Sequence, residues 1–494
     1  MKLTVNGDIN VFYVQTLCMI FFPGEKFVEN QEITDETPIM DITVKNGENG
    51  SYAKATLTYK GKTSTAEKTV EYSPEVTKLR TAKIAAGNVV LAVGSEVLGY
   101  RPSWGMLTGV RPSKVAMEML LNGNSKTKVK KILTNDYSVI PKKASLATEI
   151  AQREQRIIGA PDIKDCSVYV SIPFCPSRCA YCSFVSYTTK KLISLIPEYV
   201  ENLCVELSEL LDTVKELGLN LKTVYIGGGT PTILTAEQLT RVLSVISSKI
   251  DPASLEEYTL EGGRPDTIDA EKLKIAKDFG VTRISVNPQS LNDYVIKSIG
   301  RNHTCEDFYR AYDLAKNSGI PCINTDLIVG LPGDNFKYFS ATFDQILSLD
   351  PENITVHTFC IKKAAEILQT NNKVYSIRGG DSGKCVDYSQ LKSMAAGYVP
   401  YYMYRQKNTV GNFENVGFAK EGMEGLYNIY MMEEVHSILG VGAGAVTKLV
   451  EYYPANVSST KITRHFNHKY PYEHLNSDMS SKIREEIIEF YKLH

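Results

Sequence analysis

The 494-residue sequence has little of what would mark a membrane, nucleic-acid-binding or disulfide-stapled protein. Neither sign of charge prevails: 55 Lys and Arg face 56 Asp and Glu, and a net charge of -1 supplies no general field for nucleic acid or an anionic membrane. Long apolar runs are missing too. The richest early stretch, Val11 to Phe22, is too short for a bilayer and is broken by Gln15 and Thr16, and MKLTVNGDIN lacks the charged-then-apolar order of a leader. A cytoplasmic protein with no membrane span and no nucleic-acid partner is expected. Tryptophan occurs once, at Trp104. Most cysteines are unpaired in sequence: of ten, Cys18, Cys166, Cys204, Cys305, Cys322, Cys360 and Cys385 are scattered singly in mostly apolar settings, as buried reduced thiols are. What remains is an ordinary globular composition, 43% apolar and 22% charged, enough for two or three domains with buried cores.

Residues 1 to about 75 read as strands and hairpins, with alternation at Ile42, Val44, Tyr52, Ala55, Leu57 and Tyr59 and turns at Asn46, Asn49 and Lys60-Gly61. A helix is predicted from about Val76 to Leu98. RPSWGMLTGVRPS, Arg101 to Ser113, is a connector into a helix beginning near Pro112. Either Arg101, Trp104 and Arg111 face a substrate or partner, or the segment is an anchoring turn packed by one large ring. Residues 1–150 form a small N-terminal α/β domain with no activity assigned. From Cys166 the pattern alternates. Strands are predicted at Val168–Ile172, Thr223–Ile226, Tyr258–Glu261, Arg283–Val286, Cys322–Val329 and Ile354–Thr358. Helices follow the first five, at Leu192–Leu217, Ala236–Ile250, Ala270–Phe279, Cys305–Ser318 and Tyr338–Leu347. The class is α/β: a parallel sheet curving into a partial (β/α)6 barrel over 160–360, with a C-terminal α+β extension over 361–494. Chemistry in such folds gathers at the C-terminal ends of the strands.

The densest chemistry lies there, in YVSIPFCPSRCAYCSFVSY, Tyr169 to Tyr187. Cys175, Cys179 and Cys182 stand at C-x3-C-x2-C spacing after an apolar strand. Three thiolates can wrap three irons of a cubane and leave the fourth open to an outside ligand. The blander readings are a zinc site or a disulfide with a spare thiol; structural zinc wants four ligands, usually in two separated pairs, and no second pair exists. An open iron would also favour low oxygen. The pattern resembles that of radical S-adenosylmethionine (SAM) enzymes, where the methionine amino and carboxylate groups of SAM fill the vacant corner. Gly227-Gly228-Gly229-Thr230-Pro231 after the second strand would let the backbone approach such a ligand and present amide hydrogens to its carboxylate, although a tight strand-to-helix turn needs glycine too. Glu261, ending the third strand, would accept from an ammonium or a ribose hydroxyl, or is a plain strand-end carboxylate. Gln289, Arg301 and Asp326 complete a polar rim, with Arg301 suited to a carboxylate and Asp326 in need of a partner inside its apolar run.

Together YVSIPFCPSRCAYC, YIGGGTPT, RISVNPQSLND, SIGRNHT, INTDLIVGLPGD and ILGVGAGA resemble the motifs of the oxygen-independent coproporphyrinogen III oxidase family of radical SAM proteins, and RPSWGMLTGVRPSK narrows the likeness to its HemZ subgroup. The resemblance implies a [4Fe-4S] cluster on Cys175, Cys179 and Cys182, and a cluster-bound SAM touched by Tyr169, Gly228 and Glu261. Tyr181, Gly229, Thr230, Gln289, Arg301 and Asp326 would hold the rest of that SAM and a second one beside it. It further implies a porphyrinogen or haem-like tetrapyrrole as substrate and a reduced flavodoxin- or ferredoxin-type electron donor. The implied chemistry is reduction of SAM to methionine and a 5'-deoxyadenosyl radical that takes hydrogen from a propionate; loss of an electron and carbon dioxide then leaves a vinyl group.

The sequence departs from the family in three places. Phe184 stands where the archetypal oxidase has a further cysteine. The HNxxYW haem motif of the family's chaperone branch is replaced by Tyr427-Asn428-Ile429-Tyr430-Met431-Met432, and Ser171 and Asn287-Pro288-Gln289 replace the usual His and GVQ. Past Ile361, Lys362-Lys363, Tyr401-Tyr402-Met403-Tyr404-Arg405, Lys407 and Arg464-His465-Phe466-Asn467-His468-Lys469 would suit either a lid over a flat tetracarboxylate or a solvated basic face with core tyrosines. His465 and His468 would be haem ligands or surface histidines.

Overall fold

The computed structural model describes residues 1–27, 33–73, 76–109, 111–182, 184–360, 380–406, 409–452 and 460–494. They divide into two compact units: one of Met1–Gln152 and Met403–Glu414 with a short piece ending at Gly383, and one of the remainder.

In the first unit, strands β1 (Lys2–Gly7), β2 (Ile39–Asn46), β3 (Gly50–Tyr59) and β4 (Lys62–Glu71) form a sheet in that order, β1 parallel to β2 and the rest antiparallel. Ala53, Ala55 and Leu57 are buried at alternate positions, as a sheet covered on one face requires. Lys60 and Gly61 both take positive φ, the two-residue turn expected between β3 and β4. Val11–Phe21 differs from the strand-and-hairpin expectation: it is a helix, capped by Asn10 accepting from the Tyr13 amide. Its β-branched and aromatic residues suggest a strand, but Val14, Leu17, Cys18 and Phe21 are buried at helical spacing. Lys78–Leu98 forms a second helix packed on β3 and β4. It is long and apolar enough to cross a membrane, yet 67% of its apolar window is buried inside the protein, as in a core helix.

Trp104 itself packs as an anchoring turn would have it. It is 1% exposed and its Nε1 donates to Glu414 at 2.7 Å. Glu414 also accepts from Lys143 Nζ at 2.5 Å, and Arg405 stacks on the Trp104 ring. Lys143 and Glu414 pair with each other, the condition under which burial is tolerated, and Arg405 donates to the Leu107 carbonyl.

In the second unit the six expected strands are present as β5 (Asp165–Ile172), β6 (Asn220–Gly228), β7 (Glu257–Gly263), β8 (Arg283–Val286), β9 (Cys322–Val329) and β10 (Asn353–Thr358). All are parallel, with helices Ile196–Glu216, Ala236–Lys249, Ala270–Asp278, Cys305–Asn317 and Phe336–Ser348 in the crossovers. The sheet is larger than six strands. β11 (Val399–Arg405), β12 (Glu414–Ala419), β13 (Ser437–Val441), β14 (Val446–Glu451) and β15 (Lys461–Phe466) extend it, giving the order β11-β12-β10-β9-β8-β7-β6-β5-β13-β14-β15. β13 lies parallel to β5 with Gly440 opposite Tyr169, which sets the strand leading to the cysteines between two parallel neighbours.

Candidate active site

Strand register sets a polar row on one face of the parallel sheet. Tyr169 is opposite Tyr225, Tyr225 opposite Thr259, Ser285 opposite Asn324, and Asp326 opposite Thr355. Side chains alternate along a strand, so Glu261, two residues past Thr259, and His357, two past Thr355, share that face. Val170, Ile226, Leu260, Ile284 and Val356 point the other way and are buried.

The contacts agree with the register. Tyr225 Oη donates to Glu261 at 3.2 Å. Asp326 accepts from Asn287 at 2.9 Å and from Asn324 at 2.8 Å, with His357 Nε2 at 3.7 Å, so the partner its apolar run demanded is supplied several times over. Tyr225 stacks on Tyr427 with centroids 4.5 Å apart and on Tyr169 at 6.0 Å. The two carboxylates diverge. Burial, and then the Asp326 charge, push Glu261 up to about 7 against the pull of Tyr225 and His357. Burial works to raise Asp326 as well, but His357, Asn324 and Thr355 hold it below its ordinary value.

The cysteine loop leaves β5 at Ile172 and is tied at its base: the Cys175 amide donates to Tyr187 O at 3.0 Å and the Tyr187 amide to Pro173 O at 2.9 Å. The Ala180 amide donates to Ile299 O at 2.9 Å, pinning the middle. Cys175 and Cys179 are buried and Cys182 is half-buried. Burial pushes the Cys175 thiol up to about 11 against a 3.2 Å contact with the Thr230 hydroxyl, and burial raises Cys182 also. Arg264, which sequence reasoning passed over, lies with Nη1 4.0 Å from Cys179 Sγ, donates to Ser177 Oγ at 2.8 Å and pairs with Asp266 through two bonds. Arg301 lies against Cys179 and Tyr181 and bonds the Asn287 carbonyl. Gln289 holds a positive φ of 67, joins its backbone to Asp326 and Ile328, and keeps a buried Oε1 without a hydrogen-bond partner. The Arg301 Nε is orphaned in the same way.

These residues fit a cluster held by three thiolates. Cys175, Cys179 and Cys182 lie near enough to act electrostatically on one another, and three thiols from one loop are the donor set such a cluster takes; among the described residues no three His, Cys, Asp or Glu side chains group as a single-ion site. A Cβ at Gly229 would come within 2.9 Å of Cys175 Sγ and 2.5 Å of Phe174 O, so only glycine allows the backbone that near the sulfur; Gly228 beside it has φ 118. One expectation is corrected: the Gly229 amide is spent on Ile172 O and the Thr230 amide on Phe174 O, both at 2.8 Å, because the turn closes against β5. Those two amides are not presented to a ligand. Tyr225, Asn287, His357 and Tyr427 were missed as site residues. Tyr225 was the findable one, since it sits one strand over from Tyr169 in YIGGG.

Tyr401 and Tyr402 are buried, Arg464 pairs with Glu434 at 3.0 Å, and His465 and His468 sit on β15 and just after it, with no third metal-ligand side chain grouped with them among the described residues. Lys362, Lys363 and Lys407 lie outside the described residues.

Comparison with known proteins bears on this arrangement. The family profile described as the Radical SAM superfamily matches residues 169–346. The chain is 37% identical over 433 residues to the oxygen-independent coproporphyrinogen-III oxidase-like protein HemZ of Bacillus subtilis (strain 168), with 85% of each chain covered. It is 33% identical over 282 residues to the haem chaperone HemW of the same organism, covering 56% of this chain and 70% of that one. Among solved structures it is similar to coproporphyrinogen III oxidase (HemN) from Escherichia coli, with a TM-score of 0.47, 21% identity and 60% and 67% of the two chains covered. The cofactors of the matched superfamily are a [4Fe-4S] cluster and SAM.

Proposed function

We propose, because this chain belongs to the oxygen-independent coproporphyrinogen III oxidase-like family of radical SAM proteins, that it is an oxidoreductase of tetrapyrrole synthesis. Its substrate in this reading is coproporphyrinogen III, whose propionates become vinyl groups to give protoporphyrinogen IX. The observation that carries the reading is the three-thiol loop set beside the polar row Tyr169, Tyr225, Glu261, Asp326 and His357 at the C-terminal ends of parallel strands.

Cys175, Cys179 and Cys182 would hold the cluster. When bound, cluster and SAM together supply the hydrogen-abstracting chemistry, fed by a reduced flavodoxin- or ferredoxin-type donor. The chain's own part is to bind and orient. Glu261 would take the SAM ammonium or a ribose hydroxyl, with Tyr169 and the Gly228 backbone alongside. With the Gly229 and Thr230 amides spent, recognition of an anionic SAM carboxylate falls to a cation, and Arg301 is a buried candidate beside Cys179, where Arg264 is already paired with Asp266. The unpaired Gln289 Oε1 and Arg301 Nε, with Asp326 and Tyr181, supply the polar set for the remainder of SAM or a second molecule. Excluding water from that set falls to the stacked rings of Tyr169, Tyr225 and Tyr427.

The test is an anaerobic assay of reconstituted protein with SAM, a reductant and coproporphyrinogen III. Vinyl product together with 5'-deoxyadenosine supports the proposal, whereas methylated or ring-opened product replaces it with another radical SAM reaction. Cys179→Ala is expected to remove the brown iron-sulfur absorbance and SAM cleavage together. Haem handling is the second reading, favoured by Phe184, 71% exposed at the position where the oxidase pattern has cysteine. Tight stoichiometric haem binding without turnover would establish it.

A further inference from the structure

The three thiols of the cysteine loop are not equally sheltered. Cys175 and Cys179 are buried while Cys182 is half-buried, so the loop comes nearest to solvent on the side of its last cysteine. On that side the Phe184 backbone amide hydrogen-bonds the Cys182 thiol, and the Phe184 ring stands exposed. A pair of rings marks the end of the loop. Tyr187 O accepts from the Cys175 amide at 3.0 Å, and the Tyr187 ring lies 5.3 Å from that of Tyr470, which is more than half exposed, as is Tyr472. The segment carrying Tyr470 is fixed beside the loop: the Gly444 amide donates to His468 O at 2.8 Å, and a Cβ at Gly444 would meet Val185 at 3.1 Å. Two of the three cysteines therefore stand one hydrogen bond from a residue whose ring is exposed or touches an exposed ring.

Exposed rings scattered singly are ordinary, whereas rings grouped on one surface mark a place that a partner covers. A cluster on this loop takes its electrons from outside, and electron transfer fades steeply with distance, so the donor must come close. Residues 173–191 and 466–473 carry Arg178, Lys190, Lys191 and Lys469 against one acid, Glu473, which lies by His468 and acts on Tyr187. The balance is positive with that carboxylate counted, which suits an acidic partner. We propose that the surface of Phe184, Tyr187, Tyr470 and Tyr472 docks the electron donor, and that the donor is a flavodoxin-type protein, acidic and presenting the flat edge of a flavin. One electron leaves the reduced flavin and enters the oxidised cluster, with no bond made or broken and no proton moved. The inference rests on the cluster assigned to Cys175, Cys179 and Cys182 and is indifferent to the substrate.

Stopped-flow bleaching of the cluster in full-length reconstituted protein, without SAM or porphyrinogen, tests it by comparing fully reduced flavodoxin with dithionite, and calorimetric titration with oxidised flavodoxin reads the docking alone. Phe184→Ser and Tyr470→Ser are each expected to slow reduction by flavodoxin about 10-fold and to weaken its binding, and added salt is expected to slow the parent too. Reduction by dithionite, which needs no docking, keeps the parent rate. Tyr338→Ser, which removes an exposed ring from helix Phe336–Ser348, should change neither. A flavodoxin rate that neither loop-side variant changes, or an equal slowing with dithionite, overturns the surface. A ferredoxin that reduces the cluster faster than flavodoxin, and loses that advantage in the same variants, overturns the assigned donor. A parent chain that takes up no cluster overturns the cysteine assignment and this surface together, whereas a cluster that dithionite reduces normally but whose flavodoxin rate ignores the rings overturns the surface alone.

Discussion

Glu261 and Arg264 show how much single side chains carry here. Folded Glu261 keeps its proton up to about pH 7, while its ordinary value is 4.5, so between those limits the folded chain binds more protons than the unfolded one. Its contribution to stability therefore falls as pH rises through that window. Glu261→Gln in SAM-free protein is expected to be more stable than the parent at pH 8, by no more than about 3 kcal/mol, with the gap closing toward pH 4.5. Urea unfolding at both pH values reads it, and a gap independent of pH would contradict the environment set by Asp326, His357 and Tyr225. Arg264→Gln removes a cation lying by Cys179 and leaves Asp266 unpaired. A cost of about 1–3 kcal/mol is expected, along with a more negative cluster reduction potential, because the reduced cluster carries the extra negative charge; a potentiometric titration followed by electron paramagnetic resonance measures it. The placement of the cysteine loop after β5, of Glu261 in β7 and of Asp326 within β9 was legible in sequence because these residue types stand out against apolar strand runs. Arg264 was not, because what matters about it is where its guanidinium ends, and no spacing rule reports that.

At the level of elements, Glu257 ties the sheet to the tyrosine stack. It pairs with Arg283 and accepts from the Leu426 and Tyr427 amides, satisfying the first turn of helix Leu426–Glu433 and holding the Tyr427 ring on Tyr225. Glu257→Ala leaves Arg283 buried without its counter-charge, so a loss of about 3–5 kcal/mol is expected, together with a changed near-ultraviolet circular dichroism signal from the released tyrosines. An unchanged aromatic signal would show that the stack holds without this tie. β5 to β10 were readable because short runs rich in Val, Ile, Leu and Tyr alternate with segments that keep a clear helical period. β13 was not. It is five residues long and takes its place beside β5 only through pairing with residues far earlier in the chain, which no local pattern reveals. Helix Val11–Phe21 was hidden for the opposite reason: its residue types favour strand while its burial pattern favours helix.

For the molecule as a whole, the first unit is not a simple N-terminal segment. Glu414, the buried partner of both Trp104 and Lys143, comes from residues 403–414. A fragment ending at Gln152 leaves a lysine that is 2% exposed without its carboxylate. Such a fragment is expected to unfold without cooperativity and to lack the Trp104 near-ultraviolet signal that the full chain shows; a sharp transition from the fragment alone would refute this. The position of β13 bears on biogenesis. A ribosome releases the cysteine loop long before it makes Ser437–Val441, and until then β5 presents an open hydrogen-bonding edge. Metal loading that needs β5 paired on both sides must wait until Ser437–Val441 has been made, and a nascent chain stalled short of it would offer that edge to other chains instead.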